Sequence, residues 1–182
     1  MVSELAQSHF ELFGLLPSFD VDQQLLAGRY RELQRSIHPD RFANASERER
    51  RMAVQRAAQI NEAFDCLKEP LKRARYLLEL NGIPVDDERD THVDAEFLME
   101  QMGLREALGE VRDAPEPLRE LAGLMVDIER RRQEINAELA AQFATGRADQ
   151  LSAAKANVHK LQFLRKLYQE AQDLEEELID AV

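Results

Sequence analysis

Residues 36–42, SIHPDRF, place an imidazole and a carboxylate close together between two helical patterns. His38 and Asp40 could serve as an acid–base pair or as two metal ligands. Either role needs further partners, and the other three histidines stand in no ligand spacing such as HxxxH. The chain also contains no GxxxxGK[ST] phosphate loop. An enzyme hypothesis therefore remains possible only if the purified protein converts a substrate by itself.

The same segment also has a purely structural interpretation. Pro39 disfavours helical dihedrals at the preceding His38, so the helix must end there, and the turn could simply contain a histidine. Arg31 and Arg35 favour a different interpretation, because they lie on one outward strip of the helix that leads to His38. A basic strip ending in a carboxylate-bearing loop is suited to an acidic protein partner that carries its own arginine.

Composition and charge restrict the class of protein. Hydrophobic residues make up 44% of 182 residues and the single cysteine is Cys66, which excludes an internal disulfide or a CxxC zinc cluster. Residues 1–82 hold 12 basic and 12 acidic residues, whereas residues 83–182 hold 12 and 23. An acidic half repels phosphate backbones, so nucleic-acid binding is not expected. No apolar run suggests a membrane span and no signal peptide is evident, which predicts a cytoplasmic protein. The lone cysteine and the spacing of the histidines predict no metal site, and no cofactor is expected.

Helical periodicity dominates the chain. Capping boxes at Ser8-x-x-Glu11, Asp20-x-x-Gln23 and Ser46-x-x-Glu49 predict three helix starts. The predicted helices cover about residues 8–15, 21–37, 47–68, 70–81, 94–111, 117–144 and 149–180. No segment alternates like a strand. The sequence therefore predicts an all-α protein with a first domain at 1–82, a linker at 83–93, and a three-helix bundle at 94–182.

The first helix of the predicted bundle carries more apolar surface than packing requires. Phe97, Leu104 and Leu108 form one stripe, whereas Leu98, Met99 and Met102 lie about 100–200° away from it on a helical wheel. These three could be covered by a neighbouring helix or could form an exposed binding patch, and the pattern alone favours neither alternative. Phe163 lies about 100° off the inner stripe of its own helix, which favours an exposed patch that includes Phe163.

The first half resembles the J domain of DnaJ-type co-chaperones in the segments HFELFGL, YRELQRSIHPDRF and INEAFDCL. The resemblance implies docking on a DnaK-type chaperone and activation of its ATPase. It assigns this docking to Tyr30, Arg31, Arg35, His38, Pro39, Asp40 and Arg41. Asp40 would hydrogen-bond a buried arginine of the ATPase, and the three arginines would steer the approach. Glu32 departs from the family, which often has a second basic residue there.

Both halves together resemble the HscB-type co-chaperones of iron–sulfur cluster assembly. The second half contributes FLMEQMGLRE and KLQFLRKLYQEAQDLEEELID to that likeness. In that family the bundle binds the scaffold protein IscU and delivers it to the specialised chaperone HscA. The matching scaffold-binding residues here are Leu98, Met99, Met102, Arg105, Glu106 and Phe163, whereas Gly103 replaces an expected acidic residue. The resemblance implies that catalysis belongs to the partner. The alternative is a general co-chaperone that uses the same patch to bind unrelated clients. Selective binding of IscU would distinguish the HscB-type function from this alternative.

Overall fold

The structure, a computed structural model, shows two compact units that divide between Leu77 and Leu78. It describes residues 8–37, 46–86 and 95–180. All regular structure in these ranges is helical, which confirms the all-α prediction. The division falls inside a helix, Pro70–Leu80, slightly before the predicted domain end at 82. No helix in the described ranges has the length and apolar composition needed to cross a membrane.

The first unit contains a short helix, a pair of longer helices and most of a fourth. They are α1 (His9–Leu12), α2 (Gln23–Ser36), α3 (Glu47–Lys68) and α4 (Pro70–Leu80). Helices α2 and α3 are antiparallel, because Tyr30 contacts Phe64 while Gln34, further along α2, bonds the earlier Asn61. This pairing leaves Arg31 and Arg35 of α2 exposed.

Two of the three predicted capping boxes are confirmed. The Ser8 hydroxyl accepts from the Glu11 amide and the Glu11 carboxylate accepts from the Ser8 amide. Ser46 and Glu49 make the same reciprocal pair at the start of α3. These bonds to Ser46 lower the pKa of the Glu49 carboxyl, because they stabilise its ionised form.

The predicted box at Asp20-x-x-Gln23 is wrong. Helix α2 begins at Gln23, and its N-cap is Asp22, whose carboxylate accepts from the amides of Gln24 and Leu25. Asp20 instead donates its amide to the Ser18 hydroxyl in the preceding segment. Two aspartates two positions apart can both act as N-caps in principle, and the chain uses the second.

The core of the first unit is built from aromatic and aliphatic side chains of its four helices. The fully buried members include Phe10, Phe13, Leu26, Ile60 and Leu67. Arg73 is also buried, and it donates to the Leu67 carbonyl and lies over the Phe19 ring. Burial lowers the pKa of this guanidinium, and the contacts to Leu67 and Phe19 tie the end of α3 to the segment before α2.

The second unit is a three-helix bundle. It contains α5 (Ala95–Glu110), a 3-10 turn (Val111–Asp113), α6 (Pro117–Thr145) and α7 (Ala148–Asp180). Gly146 adopts the left-handed conformation between α6 and α7, with φ 61°, which a glycine accepts without strain. Helix α5 runs parallel to α7, since Arg105 pairs with Glu170 and Arg112 with Glu177, with 65 positions between partners in both pairs.

Two clusters of buried side chains hold the bundle together. One contains Leu104, Ile128, Leu164 and Leu167, and the other contains Val111, Leu121, Ala171 and Leu174. Helical spacing in the sequence places Leu118 on the apolar stripe of α6, which predicts that it faces the neighbouring helix, but 42% of its side chain is exposed. It lies in the first turn of α6, next to Leu178 in an open groove at the end of the bundle.

Candidate functional site

Arg31 and Arg35 form the α2 basic strip, and both side chains are exposed. Neither makes an ion pair with another residue that the structure describes. Glu32, the family departure, lies 4.0 Å from Arg29 on another side of the helix. The strip therefore keeps its positive charge, since the neighbouring carboxylate is directed toward a different arginine.

Tyr30 connects the strip to α3. Its ring stacks on Phe64 with 4.1 Å between ring centroids. Its hydroxyl donates to Asn61 Oδ1 at 2.9 Å and accepts from Gln34 Nε2 at 3.1 Å. Tyr30 is only half-buried. Its contacts hold α2 and α3 in register, so we infer that it positions the strip in addition to presenting any surface of its own.

The other predicted docking residues, His38, Pro39, Asp40 and Arg41, lie outside the described residues. Their roles remain predictions from the sequence. The structure does place the two ends of the segment: α2 ends at Ser36 and the N-cap of α3 is Ser46.

Leu98, Met99 and Met102 form the α5 patch. Their exposed fractions are 49%, 75% and 65%, so these large apolar side chains are not covered by a neighbouring helix. The stripe predicted to face inward does so, because Phe97 and Leu104 are buried. The sequence left open whether a neighbouring helix covers these side chains or whether they form an exposed patch, and the structure shows the exposed patch. Its role in binding a partner remains a prediction.

Phe163 and Arg105 meet at the edge of the α5 patch. The Arg105 guanidinium lies 5.5 Å from the Phe163 ring centroid, and its Nη1 lies 3.5 Å from Glu170 Oε2. Phe163 also makes an edge contact with Phe97, with centroids 5.8 Å apart, and packs against the Leu104 cluster. Phe163 is therefore half-buried, and it supports the bundle as well as presenting an edge to solvent.

The exposed side chains of α5 lie on two sides of the helix, one next to α7 and one further from it. At about 100° per residue, Leu98, Met102 and Arg105 lie within about 60° of one another. The contact between Arg105 and Phe163 places this side next to α7. Met99 and the exposed Glu106 point further outward, opposite the buried stripe. The structure therefore brings together the apolar surface of α5, one cation and one ring edge.

Sequence reasoning missed the charged contacts on both sides of α5. Glu100 Oε1 lies 2.8 Å from Arg131 Nε of α6, and Lys160 of α7 lies 5.5 Å from the Phe97 ring centroid. Exposed ion pairs contribute little individually, but these contacts and the Arg105–Glu170 pair lie on both flanks of α5. No single-helix pattern could have predicted them, because they depend on the register between helices.

Gly103 has no packing reason to be a glycine. It is exposed within α5, and a Cβ added there would meet no atom within 4 Å. Glycine inside a helix costs about 1 kcal/mol relative to alanine. The departure from the expected acidic residue therefore changes the local polarity of the α5 surface without being required by the fold.

The described residues thus define an all-helical protein with two candidate binding surfaces, one basic and one apolar, on separate compact units. A family model described as the HSCB C-terminal oligomerisation domain matches residues 93–172. The co-chaperone protein HscB homolog of Shewanella pealeana is 48% identical over 174 residues, covering 95% of this chain and 99% of the relative. The chain belongs to the HscB co-chaperone family.

Solved structures agree with this assignment. The chaperone HscB from Vibrio cholerae is 43% identical and has a TM-score of 0.84, with 94% of this chain and 99% of that chain covered. The human co-chaperone protein HscB is 27% identical with a TM-score of 0.84, covering 93% of this chain and 83% of that one. The fold is therefore shared over nearly the whole length of the chain.

Proposed function

We propose that this protein is a cytoplasmic co-chaperone that stimulates the ATPase of the DnaK-type chaperone HscA. It delivers the scaffold protein IscU to HscA and so aids the maturation of iron–sulfur proteins. The chain itself catalyses no reaction, and binding is its whole contribution. Membership of the HscB co-chaperone family supports this proposal, because the full-length relatives bear that name.

The single observation that carries the scaffold-binding half of the proposal is the exposure of the α5 patch. Monomeric proteins rarely expose adjoining large apolar side chains without a use for them. Met99 and Met102 are flexible and polarizable, which suits a surface that adapts to a partner. Arg105 and Glu106 supply charged groups beside the apolar area, and Phe163 supplies a ring at its edge. Together they provide the apolar centre and polar rim typical of a protein interface.

The chaperone-docking half rests on the α2 basic strip and on the sequence of residues 38–41 that follow it. Unpaired arginines attract an acidic partner over a distance comparable to the Debye length. In the proposed complex Asp40 accepts a hydrogen bond from an arginine of the ATPase, while His38 and Pro39 hold the loop. Arg41 adds a further positive charge. Tyr30 keeps α2 and α3 in the register that presents the strip.

The decisive experiment is steady-state ATP hydrolysis by purified HscA, alone, with this protein, with IscU, and with both. We expect stimulation by each and a combined rate greater than the sum of the two separate effects. Additive rates would contradict delivery of IscU, because a scaffold presented by the co-chaperone must act through the same complex. Equal synergy with an unrelated unfolded client would instead indicate a general co-chaperone.

A further inference from the structure

An open apolar groove lies at one end of the bundle, between the start of α6 and the end of α7. Leu121 of α6 shares a buried cluster with Ala171 and Leu174 of α7, so one turn nearer this end Leu118 lies opposite Leu178. Helix α6 begins one residue before Leu118 and covers α7 no further. This end groove has a volume of about 350 Å³, and it is lined by Glu116, Pro117, Leu118, Arg119 and Leu178.

The apolar side chains at the end groove are open to solvent. Leu118 is 42% exposed, and Ile179, the residue after Leu178 on α7, is 58% exposed. Leu178 itself is half-buried, because its inner side packs against the cluster of Val111 and Leu121. Neighbouring exposed apolar side chains beside a concave surface are typical of a site that another molecule covers.

A carboxylate lies on the groove side of α7. On a helical wheel Glu175 is about 60° from Leu178 and about 40° from Ile179. It is half-buried, and it makes no ion pair with a residue that the structure describes. Partial burial weakens the hydration of a carboxylate, so a cation from another molecule would gain a charge-assisted hydrogen bond there.

The surroundings of the groove are strongly acidic. Residues 110–120 and 170–180 contain ten acidic and two basic residues. Both basic residues are already paired, Arg112 with Glu177 and Arg119 with Glu116. Helix α7 has no basic residue in its last turn, so its terminal carbonyl groups add to the negative potential. This potential repels nucleic acids and anionic lipid surfaces and attracts a basic protein.

We propose that the end groove binds a basic, amphipathic segment of a partner protein. One apolar side chain of that segment packs between Leu118 and Leu178, and a nearby lysine or arginine pairs with Glu175. An apolar centre with a charged edge is the usual arrangement of a protein interface, and short amphipathic helices bind in such grooves. The groove shares no residue with the α2 basic strip or the α5 patch, so this inference does not rest on the proposed function.

A designed peptide tests the chemistry of the occupant. The probe is a synthetic helical peptide of about 14 residues, in which one leucine is flanked by lysines three and four positions away. We expect it to bind the whole chain in fluorescence anisotropy titrations at low salt and to shift the NMR amide signals of Leu118 and Leu178. A peptide with glutamine in place of the leucine should bind about fivefold more weakly. No binding of the leucine peptide, or equal binding of both peptides, would overturn the proposal.

Adjacent residues of α7 provide a matched pair of variants. Glu175→Lys and Glu176→Lys change the net charge equally, and both place a cation near the C-terminus of the helix, where it is favourable, so both variants should fold. Glu176 is exposed and lies about 160° from Leu178, away from the groove. We expect Glu175→Lys to weaken binding of the leucine peptide about tenfold, and Glu176→Lys less than about threefold through general attraction alone. Equal losses would mean that the peptide responds only to net charge, which contradicts a site at the groove.

Leu118→Gln tests the apolar contact without changing the charge. Because Leu118 is partly exposed in the first turn of α6, the melting temperature should change little, whereas peptide binding should weaken about fivefold. An unchanged affinity would overturn the proposal. Sedimentation velocity of the unmodified protein tests the other occupant. A dimer that Leu118→Gln dissociates would mean that a second copy of this chain fills the groove, in place of a basic partner.

Discussion

The two candidate surfaces of this protein differ in whether their charged side chains form intramolecular ion pairs. On the first unit, Arg31 and Arg35 have no ion-pair partner among the described residues. On the second, Arg105 pairs with Glu170 beside the α5 patch, and Glu100 on the other flank of α5 pairs with Arg131. One surface therefore leaves its charge available to a partner, whereas the other uses intramolecular pairs around an apolar area.

This difference implies two kinds of recognition. A surface of unpaired cations acts at a distance, because it orients and accelerates the approach of an acidic partner. An apolar surface acts only on contact, since its gain comes from burial at about 25 cal/mol per Å². The α2 basic strip should therefore control how fast the chaperone binds, and the α5 patch should control how long the scaffold stays bound.

The largest effect should come from Asp40→Asn. Loss of the charge that would pair with a buried arginine costs about 2–5 kcal/mol in comparable interfaces, so we expect stimulation of HscA to fall about 30-fold or more. Binding of IscU should be unchanged, because the α5 patch belongs to the other unit. Steady-state ATP turnover and isothermal titration with IscU measure the two effects.

A matched control for this substitution is Asp65→Asn, an exposed carboxylate of α3. It removes the same charge from the same unit and should leave stimulation within about twofold of the unmodified protein. Full stimulation by the Asp40 variant would contradict the docking role assigned to the loop.

The next largest effect should come from Leu98→Ala with Met102→Ala. Both side chains are exposed, so the variant should fold normally while losing apolar area that a partner would bury. Each such side chain contributes about 1–2 kcal/mol at an interface, which gives a loss of IscU affinity of roughly 50-fold. Titration calorimetry measures the affinity, and thermal melting by circular dichroism should show an unchanged midpoint.

Two further variants distinguish loss of binding from loss of stability. Val126 is an exposed apolar residue of α6 outside the patch, and Val126→Ala should leave IscU binding unaltered. Phe163→Ala should weaken binding and also lower the melting temperature, because Phe163 packs against the buried Leu104 cluster. A large fall in melting temperature for the Leu98 and Met102 variant would show instead that the patch belongs to the core.

A smaller effect is expected when the salt concentration changes. The salt dependence of binding tests directly the difference between the two surfaces. Raising ionic strength from 0.05 to 0.5 M shortens the Debye length from about 14 to 4 Å, so binding of HscA should weaken about tenfold. Binding of IscU should change less than about threefold. Surface plasmon resonance at several salt concentrations would resolve this, and a flat response for HscA would argue against the α2 basic strip.

Local signals predicted most of the fold. The capping boxes of α1 and α3 could be read directly, because their partners lie three positions apart. The N-cap of α2 could not, since Asp20 and Asp22 offer the same chemistry and the path of the preceding segment selects Asp22. The prediction that Leu118 is buried was wrong, because the apolar periodicity of α6 continues into its first turn, where the neighbouring helix does not cover the side chain.

The candidate surfaces were predictable only in part. The off-stripe positions of Leu98, Met99 and Met102 on one helix were visible in the sequence, although their exposure was not. The off-stripe position of Phe163 predicted its partial exposure, but its packing against the Leu104 cluster could not be predicted, because it depends on the register between two helices. Such a register is set by long-range contacts, and no window of the sequence contains them.

The smallest effect concerns the Ser46–Glu49 capping box at the start of α3. Bonds from the Ser46 hydroxyl and amide lower the pKa of Glu49 from its ordinary value of 4.5. Folding therefore favours the ionised carboxylate, and its contribution is fully present above pH 4.5 and is lost as pH falls through the lowered pKa. The Ser46 amide resonance, followed by NMR, should titrate with that lowered pKa. Ser46→Ala should return the pKa toward 4.5, whereas an unshifted Glu49 in the unmodified protein would mean that the start of α3 frays in solution.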